Sequence, residues 1–294
     1  MSWKNKLRKG SRMKYIKLSI VVFAVAVLII ELPAFFKDPR VDRVVEIVYK
    51  ASPSVVNIST EKVVPLEGNT RWGDNYGAFF DRFSGEFFNR HQEGGKIKYN
   101  SIGSGVVLSE DGVIVTNAHV VNKASKIFVT TSEGNVFIAH PVKTDRTSDL
   151  ALIKVNSIYR FKPVNIKKDD KGYPGEKVIA IGNPFGLENS VSTGVISGFK
   201  RSFRSRNCNY ACTDLIQTDA SINPGSSGGG LFNMKGELTG INVAMVQDSD
   251  NIGFAIPMLK VRRLLEQNTS AIEDVTAKGP DRALRMVRPE ESKK

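Results

Sequence analysis

Histidine and cysteine are scarce in this chain, at three and two among 294 residues. Two cysteines exclude a disulfide-rich scaffold, and so few His and Cys exclude a zinc-finger array. The same scarcity narrows imidazole chemistry to His91, His119 and His140. Long apolar runs are also few. The longest, Leu18 to Ile30, covers 13 positions without a charge, and 41% hydrophobic with 24% charged residues fits neither a multi-span membrane protein nor a disordered tail protein. Acidic residues are missing from the first 17 positions, which hold seven Lys and Arg; the other 277 carry only +5 of the net +12. Net charge is therefore no argument for nucleic acid as a partner. The densest basic run further on, Lys200 to Arg206, holds one aromatic, Phe203, where a nucleic-acid stripe would interleave several.

A basic start followed by an apolar run has two readings. Continued through Leu32, Pro33, Ala34, Phe35 and Phe36, it is a membrane anchor over residues 18–36, near the roughly 20 residues a spanning helix needs. At 13 positions it also matches the core of a cleaved secretory signal. No small-x-small cleavage pattern follows, which favours the anchor. Under both readings residues 1–17 stay cytoplasmic and the chain beyond about residue 36 is exported. In an oxidising compartment Cys208 and Cys212, with three residues between them, read as a local disulfide pinning a loop, with two free thiols as the alternative. No His or Cys neighbours them to complete a metal site, and no metal or cofactor is expected.

Residues 40–50 place Val41, Val44, Val45 and Val48 at helical spacing, which predicts an amphipathic helix ending at Ser52-Pro53. Residues 61–100 then form an insertion rich in Gly, Asn and Arg, with an aromatic cluster of Phe79, Phe80, Phe83, Phe87 and Phe88. So long a stretch without regular patterning suggests a functional segment. From residue 102 the pattern is consistently β: short Val- and Ile-rich runs such as Val113 to Thr116, Lys126 to Thr131, Leu150 to Val155 and Leu238 to Val246, separated by turns such as Glu110-Asp111-Gly112. Many short strands without intervening helices predict barrels or a sandwich. A lysine-rich stretch at 156–172 divides them into two barrels, about 52–155 and 173–256. A helix then opens at Pro257, and 268–294 is a polar tail.

Chemistry is concentrated in residues 217–230, which end Asn-Pro-Gly-Ser-Ser-Gly-Gly-Gly. Glycine at this density is entropically costly, so the backbone must need shapes that a side chain forbids. A nucleophilic serine has that need, because its hydroxyl projects from a tight turn while nearby N–H groups converge on a developing oxyanion. Ser227 is then the nucleophile, and the amides of Gly225 and Ser227 are the oxyanion donors. The plain alternative is a flexible Gly/Ser loop. Serine needs a base, and the base an orienting carboxylate. His91 lies in the aromatic insertion as a solvated loop residue, and His140 precedes a proline on a barrel surface. His119 ends an apolar strand, where an imidazole is held rigidly, and is the best candidate. Asp149 stands at the mouth of the apolar run Leu150 to Val155, whereas Asp145 reads as an ordinary turn residue.

With these residues in order, the chain resembles the chymotrypsin-like serine proteases, and within them the HtrA/Deg branch of bacterial envelope proteases. Five segments carry the likeness: Gly103-Ser104-Gly105-Val106-Val107 leading to Thr116-Asn117-Ala118-His119-Val120-Val121; Asp149 to Val155; Gly182-Asn183-Pro184-Phe185-Gly186-Leu187; Thr218 to Gly229; and Gly253-Phe254-Ala255-Ile256-Pro257. The resemblance spans roughly residues 40–267 and implies an all-β fold of two six-stranded antiparallel barrels with a short C-terminal helix. It implies a serine endopeptidase that cleaves unfolded or misassembled envelope proteins as a homotrimer, after small or medium apolar residues. The protease domain would sit in the periplasm or outside the cell, held to the inner membrane by residues 18–36 or released by signal cleavage. The specificity pocket would involve Ile222, Met245 and Val246. Two departures stand out: Ser226 occupies a position where the family commonly has Asn, and the 37 residues after Pro257 are too few for a PDZ domain. A different class of function is a holdase that binds unfolded chains through the 61–100 aromatics without cutting them.

Overall fold

The computed structural model describes residues 40–65, 91–93, 96–169, 171–183, 189–202, 213–223, 225–243 and 252–277. The run Leu18 to Ile30, the phenylalanine cluster, Cys208, Cys212, Met245 and Val246 lie outside these residues. Among the described residues no helix is long and apolar enough to cross a membrane.

The chain divides into a unit up to Val45 and a unit from Glu46 onward. At that boundary Asp42 caps a helix by accepting the Val45 N–H at 3.0 Å. That helix, α1 (Arg43–Ala51), forms where the valine spacing predicts it, but its inward face is different. Ile47 and Ala51 are buried and Val45 is 44% exposed. Each residue turns the helix by about 100°, and the face centres on Ile47, which packs near the turn at Gly236.

The first barrel is built from β1 (Val55–Pro65), β3 (Lys96–Val107), β4 (Val113–Asn117), β5 (Lys126–Thr130), β6 (Val136–Asp145) and β7 (Leu150–Val155). Its strands run in the order β1-β5-β6-β7-β4-β3 and close through β1–β3, all antiparallel. A short β2 (His91–Glu93) extends the sheet beside β3, so His91 stands on a strand and not in a loop. β4 and β7 are buried at every position, and β5 alternates, as a strand with one solvated face must. Val56, Ile58, Ile114, Val129, Ile153 and Phe161 fill the interior.

The second barrel closes in the order β10-β13-β12-β11-β8-β9. Its strands are β8 (Lys177–Gly182), β9 (Ser190–Arg201), β10 (Leu215–Thr218), β11 (Gly230–Asn233), β12 (Leu238–Val243) and β13 (Gly253–Pro257). Two closed six-stranded antiparallel barrels are the fold expected from the sequence. β11 is the strand that local pattern conceals, since it begins in the glycine run. Its pairing with β8 and β12 supplies the order that propensity does not.

Between the barrels, the lysine-rich stretch is more than a spacer. Phe161 returns into the first barrel beside Phe137 and Tyr159, with ring centroids 4.9–5.2 Å apart. Burying one such side chain is worth about 1.5–3 kcal/mol. A few residues on, Leu238 N–H donates to Asn165 O at 2.7 Å, pinning the same stretch to the second barrel. After β13 come α3 (Met258–Glu266) and α4 (Thr269–Ala277), so the segment read as a polar tail opens with a helix.

Candidate active site

β4 ends at Asn117, and a single helical turn, α2 (Ala118–Val121), carries His119. Across the ladder Asn117 pairs with Leu150. The antiparallel register therefore sets Asp149, the residue before β7, beside Ala118 and His119. Four hydrogen bonds fix it there. Asp149 Oδ1 accepts the His119 N–H at 3.0 Å and Oδ2 lies 2.7 Å from His119 Nδ1. The Asp149 carbonyl accepts from Ala118 N–H at 3.0 Å and from Asn117 Nδ2 at 3.1 Å. Asp149 has φ +54, a left-handed conformation that costs most L-residues energy but that Asp tolerates. Both side chains are almost wholly buried. An imidazole that donates Nδ1–H to a carboxylate presents Nε2 as its acceptor, the arrangement a general base requires.

Asp145 does other work. Its Oδ1 accepts the Thr147 N–H at 2.8 Å and its Oδ2 the Ser148 hydroxyl at 2.6 Å, which shapes the β6–β7 turn. Burial pushes its carboxyl up, but the bonds from Ser148 and Thr147 outweigh this and hold it below the ordinary range. His140 lies half-buried on β6, next to a bulge between Pro141 and Lys143.

Ser227 belongs to the second barrel, in the turn before β11. It is fully buried, and its carbonyl accepts the Ser104 N–H from β3 at 2.8 Å. Gly225 and Gly228 on either side have φ +86 and +87. A β-carbon at Gly228 would stand 2.1 Å from Ser104 O and 2.4 Å from Thr116 Oγ1. The turn thus lies directly against β3 and the end of β4, three residues before His119. Gly103 marks the meeting point: a β-carbon there would fall 2.8 Å from Val120 Cγ2 and 3.3 Å from Ser227 O. Main-chain bonds hold the rest of the turn, with Ser226 N–H on Asn223 O at 2.9 Å and Gly228 N–H on Asn242 O at 2.9 Å. Of the expected pocket residues, Ile222 is half-buried against the second-barrel core, beside Gly253; Met245 and Val246 are outside the described residues. Among the described residues no cluster of His, Cys, Asp and Glu suits a metal ion.

Sequence reasoning gave no role to the buried polar residues around this turn: Asn57, Ser104, Thr116 and Asn242. Asn57 Nδ2 donates to Asn183 O at 2.9 Å, and Asn242 Nδ2 to Gly230 O at 3.1 Å. Each stands in a strand that carries other polar residues, so local pattern did not single it out. Burial without partners would be costly there, so each had to bond to something. Lys154 is similar, buried on β7 with Nζ bonded to Asp111 O and to Val155 O, the latter at 3.0 Å.

Two closed six-stranded barrels, with a His–Asp pair on the first and a glycine-flanked serine turn on the second, define the trypsin-like class of peptidase fold. Residues 103–241 match the family model described as a trypsin-like peptidase domain. The chain therefore carries such a domain, homologous to those of the HtrA/Deg serine proteases. It is 39% identical over 229 residues to the putative serine protease HhoB of Synechocystis, covering 78% of this chain and 53% of that protein. To a probable periplasmic serine endoprotease, DegP-like, of Marinomonas it is 39% identical over 233 residues, 76% of this chain and 49% of the relative. Similarity extends to the serine protease HTRA1 of Xenopus laevis, 34% identical over 237 residues, 79% of this chain and 45% of the relative. The chain spans about half the length of the curated relatives it matches.

Proposed function

We propose that this protein is a serine endopeptidase working through an acyl-enzyme. Ser227 Oγ attacks the scissile carbonyl carbon while its proton passes to His119 Nε2, and the carbonyl electrons move onto oxygen. The amides of Gly225 and Ser227 stabilise that oxyanion. Collapse reforms the carbonyl and breaks the C–N bond, with His119 returning the proton to the leaving amine. Water then attacks the ester by the same route, and Asp149 holds the imidazole in register throughout. The observation that carries this reading is the two-point grip of Asp149 on His119, with the Ser227 turn packed against the strand that delivers that histidine.

Ile222, with Met245 and Val246, would line a pocket for small or medium apolar side chains; no acid stands among them to receive a basic one. The natural substrates we infer are unfolded or misassembled proteins of the cell envelope. The relatives' names and the basic, apolar N-terminus support an exported catalytic domain, anchored through residues 18–36 or released by signal cleavage; a homotrimer is what the family resemblance implies.

Labelling with a fluorophosphonate and digestion of casein test the activity. The full chain is expected to be labelled at Ser227 and to degrade casein, and Ser227→Ala to lower kcat by about 10⁶-fold. Equal digestion by both proteins would remove Ser227 from the mechanism.

A further inference from the structure

The turn that carries Ser227 has little to hold its shape from within. Gly225 and Gly228 both have positive φ, and a glycine has no side chain to favour one peptide orientation over another. Main-chain bonds to Asn223 and Asn242 hold part of it, and the first barrel supplies the rest, largely through one residue. Ser104 on β3 is fully buried and commits every polar group it has to this joint. Its N–H donates to Ser227 O at 2.8 Å, and its carbonyl accepts the Thr116 hydroxyl at 2.7 Å. Its own hydroxyl donates to Gly225 O at 2.6 Å and accepts the Asn183 N–H at 2.8 Å. The side chain therefore joins two points of the second barrel, 121 and 79 residues away in sequence. Asn57 closes the same corner by donating to Asn183 O at 2.9 Å.

We propose that Ser104 is a positioning residue for the oxyanion-binding turn: its hydroxyl, together with the Ser226 N–H bond to Asn223 O, sets the orientation of the Gly225–Ser226 peptide, and it ties that orientation to the main chain at Asn183. The proposal rests on the peptidase reading above. Gly225 contributes one proposed oxyanion donor through its N–H, and its carbonyl is the group that Ser104 holds. The Gly225–Ser226 peptide links the two donors, and a change in ψ of Gly225 that φ of Ser226 does not offset moves the Ser227 N–H, the second donor. With the hydroxyl present, a rotated peptide breaks a buried hydrogen bond and leaves Gly225 O without its partner. With the hydroxyl gone, nothing in the side chain at position 104 distinguishes one orientation from another. Oxyanion donors are effective because they are already aimed before charge develops, so this preference acts on the chemical step and not on substrate capture. The same hydroxyl must accept from Asn183 while it donates to Gly225. That one oxygen therefore links the main chain at Asn183 to the carbonyl of Gly225.

Steady-state kinetics of the full chain on a fluorogenic peptide with valine at the cleaved position, alongside thermal melts by circular dichroism, test this. Ser104→Ala is expected to lower kcat about 10- to 100-fold, with KM within about twofold and the acid limb of the pH–rate profile unmoved, because the His119–Asp149 pair is untouched. Ser104→Cys keeps a weak donor of similar shape and should fall between Ala and Ser in kcat. If the alanine variant does not fold, the cysteine variant decides. A folded variant with unchanged kcat, or a loss that follows only the folded fraction, overturns the proposal. So does a fall confined to KM. If the unsubstituted chain shows no Ser227-dependent turnover, the peptidase reading itself fails and the proposal with it, so the two failures are told apart.

Discussion

In the first barrel, His119 and Asp149 are fixed by side-chain hydrogen bonds at the ends of two paired strands. In the second, Ser227 sits in a turn held by main-chain bonds and by glycines with no room for a β-carbon. The first arrangement suits an imidazole, whose ring must keep one nitrogen bonded and the other presented. The second suits a hydroxyl flanked by amides, where the backbone is itself a working part and must approach another strand closely. One half therefore depends on a few polar atoms, and the other on the absence of atoms.

Asp149→Asn attacks the first half at its centre. The amide cannot accept both the His119 N–H and Nδ1–H with the same strength, and it permits the wrong imidazole tautomer. We expect kcat to fall by about 10⁴-fold with the melting temperature only modestly lower, measured on the same peptide substrate. A drop of less than tenfold would show that the side-chain grip is not what places the base.

Gly228→Ala attacks the second half. The added carbon would overlap Ser104 O and Thr116 Oγ1, at a φ that disfavours any side chain. The expected loss of stability is about 3 kcal/mol by urea unfolding, with activity reduced in the protein that remains folded. If Gly228→Ala were as stable and active as the parent, close approach would not be what seats the turn.

The smallest effect sharpens the comparison at the edge of the first barrel. Burial pushes the Asp111 carboxyl up, but the Ser109 hydroxyl and the Lys154 ammonium outweigh it and hold it below the ordinary range. A depressed carboxyl contributes stability above its unfolded value, and that contribution is lost as pH falls through the folded value. Asp111→Asn should therefore be less stable than the parent near neutrality by under about 1 kcal/mol, since the Asp111 side chain is 44% exposed. The gap should close below about pH 4. Urea melts of both proteins from pH 7 to pH 3 measure it, and a constant gap would assign the effect to packing instead.

How much of this was legible varies by element. β7 has the bounds Leu150–Val155 that the sequence predicts, because a continuous apolar run between turn signals leaves few alternatives. The sequence separated Asp149 from Asp145 by their places beside that run, and the two carboxyls make different contacts, Asp149 with His119 and Asp145 with Ser148. β11 was not, because Gly230–Asn233 has weak intrinsic preference and becomes a strand only by pairing on both sides. The inward face of α1 was read through Val41, Val44, Val45 and Val48, but the buried residues are Ile47 and Ala51, and Val45 is exposed.

By itself, the sequence determined the β-rich two-part plan, the positions of the turns, and the short set of residues proposed for acyl chemistry. Periodicity and composition encode these locally, since alternation, glycine and polar punctuation act within a few residues of chain. Only the tertiary structure decided that Asp149 takes a left-handed conformation and that Ser104 serves both Gly225 and Asn183 with one hydroxyl. It likewise decided that Gly228 has no space for a side chain. Each of these depends on atoms dozens of residues apart being brought within hydrogen-bonding or van der Waals distance, and no local pattern records which partner will be there.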